Sequence, residues 1–169
     1  MNPHLFIKHT LKIFILEIFF KDVFQIQQFK VEQMYGVLKL ASKVLSEQYN
    51  PSLFTYFYES CPWGFWTAQY YQRLVGFIIG VPFSETFGKI LMIGVSPSMR
   101  NKGVGSQLLQ RLLNEFEKKQ ITTIELEVAV SNSAAIKFYK KHHFFIVGQF
   151  ASFYQNGEDA YIMRLKQSH

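Results

Sequence analysis

At Gly103 the hydrophobic repeat of this chain changes from two residues to between three and four, and at Ile121 it changes back. Upstream, Ile90 to Val95 reads as a strand. Downstream, Leu108, Leu109, Leu112, Leu113 and Phe116 form the apolar stripe of a helix, and Ile124, Leu126 and Val128 alternate along one face of a strand spanning Ile121 to Val130. A strand, helix, strand crossover sets two strands parallel, because a tight hairpin has no room for a helix.

The other segments are joined too tightly for further crossovers. Val23 to Phe29 alternates as a half-buried strand, and Val31 to Leu45 carries Val31, Met34, Val37, Leu38, Ala41, Val44 and Leu45 at helical spacing. After Asn50-Pro51, Phe54 to Tyr58 reads as a second helix ended by the turn Cys61-Pro62-Trp63-Gly64. Phe65 to Tyr71 and Leu74 to Val81 form strands joined near Gln72-Arg73. Ser131-Asn132-Ser133 can cap a helix from Ala134 to Lys141, followed by strands Phe145 to Phe150 and Ala160 to Leu165 around Asn156-Gly157. The expected fold is α/β (α+β): a mixed, mostly antiparallel twisted sheet flanked by helices, with one central βαβ unit.

With 169 residues the chain suffices for one core, and we expect a single domain over 23–169 preceded by an extension over 1–22. A hydrophobic fraction of 49% against 18% charged residues excludes disorder. The lone Cys61 excludes a disulfide framework and a cysteine zinc site, which places the chain in the cytoplasm by default. The apolar run Leu11 to Phe20 is interrupted by Lys12 and Glu17 and closed by Lys21-Asp22, too short for a membrane span and without a cleavage site. It offers either an extra element over the core or a surface for a homodimer. The net charge of +6 suits phosphate-bearing ligands; the aromatics fall at core-periodic positions, which argues against a nucleic-acid partner.

The run Ile93-Gly94-Val95-Ser96-Pro97-Ser98-Met99-Arg100-Asn101-Lys102-Gly103-Val104-Gly105-Ser106 links strand to helix. Two glycines at a helix start let backbone approach a ligand, and the free N–H groups of the first turn favour an anion such as a pyrophosphate. Leu108 stands where a dinucleotide fingerprint would need its third glycine, and no Gly-Lys-Ser/Thr follows. A tight turn without a ligand fits the two glycines as well.

The whole segment resembles the coenzyme-A pyrophosphate loop of the GNAT acetyltransferase superfamily, Arg/Gln-x-x-Gly-x-Gly/Ala. Leu126-Glu127-Val128 through Ser131-Asn132 and Ala134-Ala135-Ile136 to Phe138-Tyr139 is similar to ribosomal-protein-alanine N-acetyltransferases and archaeal N-terminal acetyltransferase catalytic subunits. So is Asn156-Gly157-Glu158-Asp159-Ala160-Tyr161-Ile162-Met163. The resemblance, covering roughly 23–165, implies acetyl-CoA as cosubstrate, no metal, and a protein or peptide N-terminus as acceptor. A polyamine or other small amine is the alternative. It implies cofactor contacts from Ile93, Gly94, Val95, Arg100, Asn101, Lys102, Gly103, Val104, Gly105, Ser106 and Asn132. It implies Glu127 as the base that assists amine deprotonation and Tyr139 as the acid facing the departing sulfur. Glu47, Tyr49, Tyr154, Glu158 and Tyr161 would line the peptide side.

From the residues alone, Glu127 reads as an exposed strand glutamate like Glu125, Tyr139 as a packed ring, and Asn132 as a cap. The family usually has Gly or Asn where this chain has His143, so His143 is expected in a left-handed conformation at the helix end, not as a metal ligand with His142. Leu45-Ser46-Glu47-Gln48-Tyr49 keeps the Glu and Tyr of the family's Leu-Pro-Glu-Asn-Tyr but not its Pro and Asn. An α-amino group, with a pKa of about 7.7 to 8.0, costs about 3.4 kcal/mol less to neutralise than a lysine near 10.4, so one modest base suffices.

Overall fold

The computed structural model describes residues 24–47 and 49–167. The apolar run Leu11 to Phe20 and the proposed extension 1–22 lie outside them. Strand β1 (Gln25–Gln28) is followed by a 3-10 turn (Val31–Gln33), α1 (Met34–Val44) and α2 (Pro51–Ser60). Asn50 starts α2 by accepting the Ser52 N–H on its side chain at 3.0 Å, with Pro51 at the first helical position. A 3-10 turn (Pro62–Gly64) leads into the meander β2 (Phe65–Tyr70), β3 (Arg73–Pro82) and β4 (Phe87–Val95). The two-residue link Tyr71-Gln72 has φ of 44° and 62°, the double left-handed turn that matches strand twist, made here without glycine.

The crossover follows as α3 (Val104–Lys118) and β5 (Thr123–Ala129), then α4 (Ser133–Lys141), β6 (Phe145–Phe150) and β7 (Ala160–Lys166). The seven strands lie in the order β1-β2-β3-β4-β5-β7-β6, and β4 with β5 is the parallel pair. This is the expected mostly antiparallel sheet with one βαβ unit. The parallel pairing is short: Phe87, Gly88 and Lys89 match Thr123, Ile124 and Glu125, and beyond them the strands part. A bulge at Leu91 falls at the point of departure, where Met92 opposes Ile79 and Ile90 opposes Gly80.

Each face of the sheet has its own core. On one, Leu108, Leu109, Leu112 and Phe116 of α3 are fully buried against Ile78, Ile124, Leu126 and Met163. On the other, Val37, Leu40 and Ala41 of α1 and Phe54 of α2 cover Phe65, Phe77 and Ile79. Each such aliphatic or aromatic side chain contributes about 1.5–3 kcal/mol on burial. Val31, expected on the α1 stripe, is 55% exposed, because the 3-10 turn that holds it precedes α1 and does not follow the 3.6-residue spacing. Leu40 takes a core place that the expected stripe omits.

Candidate active site

The opening between β4 and β5 is framed first by backbone. From Ile90 to Val95 the edge of β4 toward β5 has no strand partner, so its amides and carbonyls face the gap. Gly94 lies there for packing reasons: a Cβ would stand 2.5 Å from the Phe77 ring and 2.9 Å from a Val44 methyl. The chain then turns through Pro97–Met99 to Arg100, whose Nε donates to the Val95 carbonyl at 3.4 Å.

Asn101 has φ of 62° and Gly103 φ of 86°, two left-handed residues that bring Val104, Gly105 and Ser106 into the first turn of α3. First-turn N–H groups have no carbonyl partner inside a helix, and with the helix dipole they favour an anion. A Cβ on Gly103 would meet nothing within 4 Å, so backbone conformation and not crowding selects glycine there. The loop fits a pyrophosphate. The Ser106 hydroxyl is held 2.9 Å from Nε2 of His142, whose ring packs at a tilt against Phe138 with centroids 4.8 Å apart. Burial, with Lys141 and His143 nearby, holds the His142 pKa below the usual histidine value.

Asn132 caps α4: its Oδ1 accepts the Ala135 N–H at 3.1 Å, which leaves its amide nitrogen for another partner. Tyr139, on the inner side of α4, is 5% exposed and packs edge-on against Phe138 and Phe144. Burial, with Tyr154 nearby, raises its phenol pKa well above the ordinary value. His143 closes the helix with φ of 65°, the left-handed conformation expected of it.

Glu127 is not the exposed strand residue that alternation suggests. Its side chain is 12% exposed, and Oε1 lies 2.5 Å from Nζ of Lys89, itself 21% exposed. Beside it, Glu125 pairs with Arg164 of β7, Nε to Oε1 at 2.6 Å. Among the described residues no group of three or more His, Cys, Asp or Glu is placed to hold a metal ion.

Of the residues expected on the peptide side, Glu47, Tyr49 and Tyr154 come together through two loops. Oε1 of Glu47, between α1 and α2, accepts the Gln155 N–H of the β6–β7 loop at 2.9 Å. Tyr154, in that loop, sets its phenol beside the Ala129 backbone at the end of β5. Its pKa is pushed up to about 12 by burial first, then by Tyr49 and Glu127. Burial, with Glu47, likewise raises that of Tyr49. Glu158 braces the loop instead of facing the opening. Its carboxylate accepts the Ser131 N–H at 3.0 Å and a bond from the Ser131 side chain, which lowers its pKa. Tyr161 is not brought to this group; with Val128 opposite it, it packs into the α3-side core, on the sheet face opposite Glu127.

A strand, an anion-seeking loop at a helix start and a returning strand that parts from the first frame a site suited to a phosphate-bearing ligand. The chain belongs to the acetyltransferase (GNAT) family, whose model matches residues 34–144, and it is an N-acetyltransferase. An N-alpha-acetyltransferase of Sulfurisphaera tokodaii is 28% identical over 152 residues, 83% of this chain and 91% of that protein. The structure of Ard1 from Thermoplasma volcanium superposes with a TM-score of 0.84 at 29% identity, covering 86% of this chain and 99% of that one. Naa50 of Arabidopsis thaliana, in complex with a bisubstrate analogue of coenzyme A and a peptide, gives 0.74 at 25% identity over the same shares.

Proposed function

We propose that the chain moves an acetyl group from acetyl-CoA to the N-terminal α-amino group of a protein or peptide, by direct attack of the amine. The observation that carries this reading is that Tyr154 lies close enough to Tyr49, Glu127 and Tyr139 to interact electrostatically with each of them. The name of the Sulfurisphaera relative and the peptide analogue bound by Naa50 support an α-amine acceptor.

Acetyl-CoA, when bound, supplies the activated acyl thioester. The backbone of Asn101 to Ser106 holds the pyrophosphate, with Arg100 and Lys102 adding positive charge. The open edge from Ile93 through Gly94 to Val95 lies along the pantetheine, and the Asn132 amide donates from the other wall. Glu127 accepts the proton of the attacking amine on Oε2, directly or through one water, since Lys89 holds Oε1. The new bond joins amine nitrogen to carbonyl carbon, the carbon–sulfur bond breaks, and the thiolate leaves.

Tyr139 donates a hydrogen bond to that sulfur. With its pKa raised further above a thiol near 8.5, full transfer of its proton is uphill, and solvent completes protonation. Tyr49 and Tyr154, positioned by Glu47 and the Ser131–Glu158 tie, shape a slot for a terminal residue. Incubating a peptide panel with acetyl-CoA, and locating the acetyl group by mass spectrometry, tests the reading. Acetylation confined to polyamines or other small amines overturns it.

A further inference from the structure

Lys89 lies outside the sequence motifs, yet it is paired with the carboxylate at the centre of the proposed chemistry. It stands at the last rung of the parallel pairing, opposite Glu125, where β4 and β5 separate. Its ammonium is fixed twice, 2.5 Å from Oε1 of Glu127 and 5.4 Å from the centre of the Phe83 ring. Charge-assisted contacts this short between two largely covered side chains hold both groups in one place.

Among the described residues, no other cation is paired with Glu127. On β5, Glu125 is engaged by Arg164 of β7. From the β6–β7 loop comes the phenol of Tyr154, which has Tyr49, Glu158 and Tyr139 near it. Lys89 is therefore the cation that the structure pairs with this carboxylate.

An amine arriving as an ammonium would seek the same carboxylate and would meet Lys89 there. We propose that Lys89 is a specificity-determining residue: by occupying Glu127 with a built-in ammonium, it bars protonated amines and admits the acceptor as the neutral base. Repulsion between two unit charges about 5 Å apart at a partly covered site corresponds to tenfold or more in affinity. An α-amine, with a pKa of about 7.7 to 8.0, presents much of its population neutral near pH 7.5, whereas lysine side chains present about one part in a thousand. The barrier thus sorts acceptors by basicity. This inference rests on the reading of Glu127 as the group that receives the amine proton.

The test compares wild type with Lys89→Met, Lys89→Gln and Lys89→Arg. Steady-state kinetics are run from pH 6.5 to 9 on an α-amine peptide, an N-terminally blocked lysine peptide and spermidine, and acetyl-CoA affinity is measured in parallel to confirm the fold. In wild type, KM for the α-amine peptide should rise about tenfold per pH unit below the amine pKa while kcat stays flat, because the ammonium form does not bind. Met and Gln should reverse the split, with KM flat and the pH dependence moved into kcat. They should also lower KM for the blocked lysine peptide and spermidine at least tenfold. Arg should behave as wild type. An unchanged split in both Met and Gln, or an Arg variant that behaves like them, overturns the inference. A wild type that acetylates no α-amine peptide overturns the proposed function instead.

Discussion

Gly103 and Gly105 stand two residues apart in the same loop, and the structure assigns them different burdens. Gly103 has φ of 86° with open space where a Cβ would be. Replacing it with alanine therefore brings no clash, and the cost is that of a left-handed L-residue, about 1–2 kcal/mol. Gly105 has no such φ, and its Cβ would meet Phe138 at 3.4 and 3.5 Å and Val95 at 3.7 Å, which are ordinary contacts. Gly105→Ala should leave stability unchanged or slightly improved, since alanine is the better helix former. Gly103→Ala should lower the melting temperature by roughly 2–8 °C for a protein of this size. If the loop relaxes to escape the strain, part of that loss should reappear as weaker acetyl-CoA binding, up to about tenfold per 1.4 kcal/mol. Scanning calorimetry and titration calorimetry with acetyl-CoA on both variants read the two quantities separately. A Gly103→Ala protein with unchanged melting temperature and unchanged affinity refutes the backbone argument, as does a larger loss in Gly105→Ala.

Three further outcomes follow from the site. Tyr139→Phe should lower kcat about 10- to 100-fold, the worth of a hydrogen bond to a charged atom, with acetyl-CoA affinity intact by equilibrium titration. Glu127→Gln should lower kcat by about the same factor from pH 6.5 to 8, because only the neutral amine binds and Glu127 takes the proton released after attack, and by less near pH 9, where solvent base replaces it; a rise in KM with kcat unchanged would assign it to positioning. His142 has a folded-state pKa below its unfolded value near 6.5, so the unfolded chain binds more protons between the two. Its contribution to stability should be complete above pH 6.5 and lost as pH falls through that window. Urea unfolding of His142→Gln at pH 7.5 and 5 should show a smaller drop than wild type.

The parts of the fold that local pattern dictates were legible. The α3 stripe, the meander and the cap at Asn132 are written in contiguous residues, whereas the left-handed His143 was expected from the Gly or Asn that the family has at that place. The site was legible only where a motif is continuous, as in the anion loop. The Lys89–Glu127 pair joins residues 38 positions apart, on strands whose parallel register no local signal specifies, and alternation alone assigned Glu127 to solvent. Tyr161 shows the converse. The structure puts it on the α3 face with Met163 and Leu165, whereas the resemblance, which carries no register, put it with the peptide. Glu158 kept its motif position while its carboxylate became a tie to Ser131.

The three rungs between β4 and β5 make the sheet two sheets sewn at one short seam, four strands on one side and three on the other. The halves share the α3-side core, which takes Ile78 from one and Leu126 and Met163 from the other, while beyond Lys89 and Glu125 the strands themselves no longer pair. A cosubstrate lying in that divergence becomes an extra rung. At a hundred times its dissociation constant such a ligand adds about 2.7 kcal/mol to the folded state. The gain would extend to β6, two strands beyond the seam, because the three-stranded half cannot peel away while the stitch is in place.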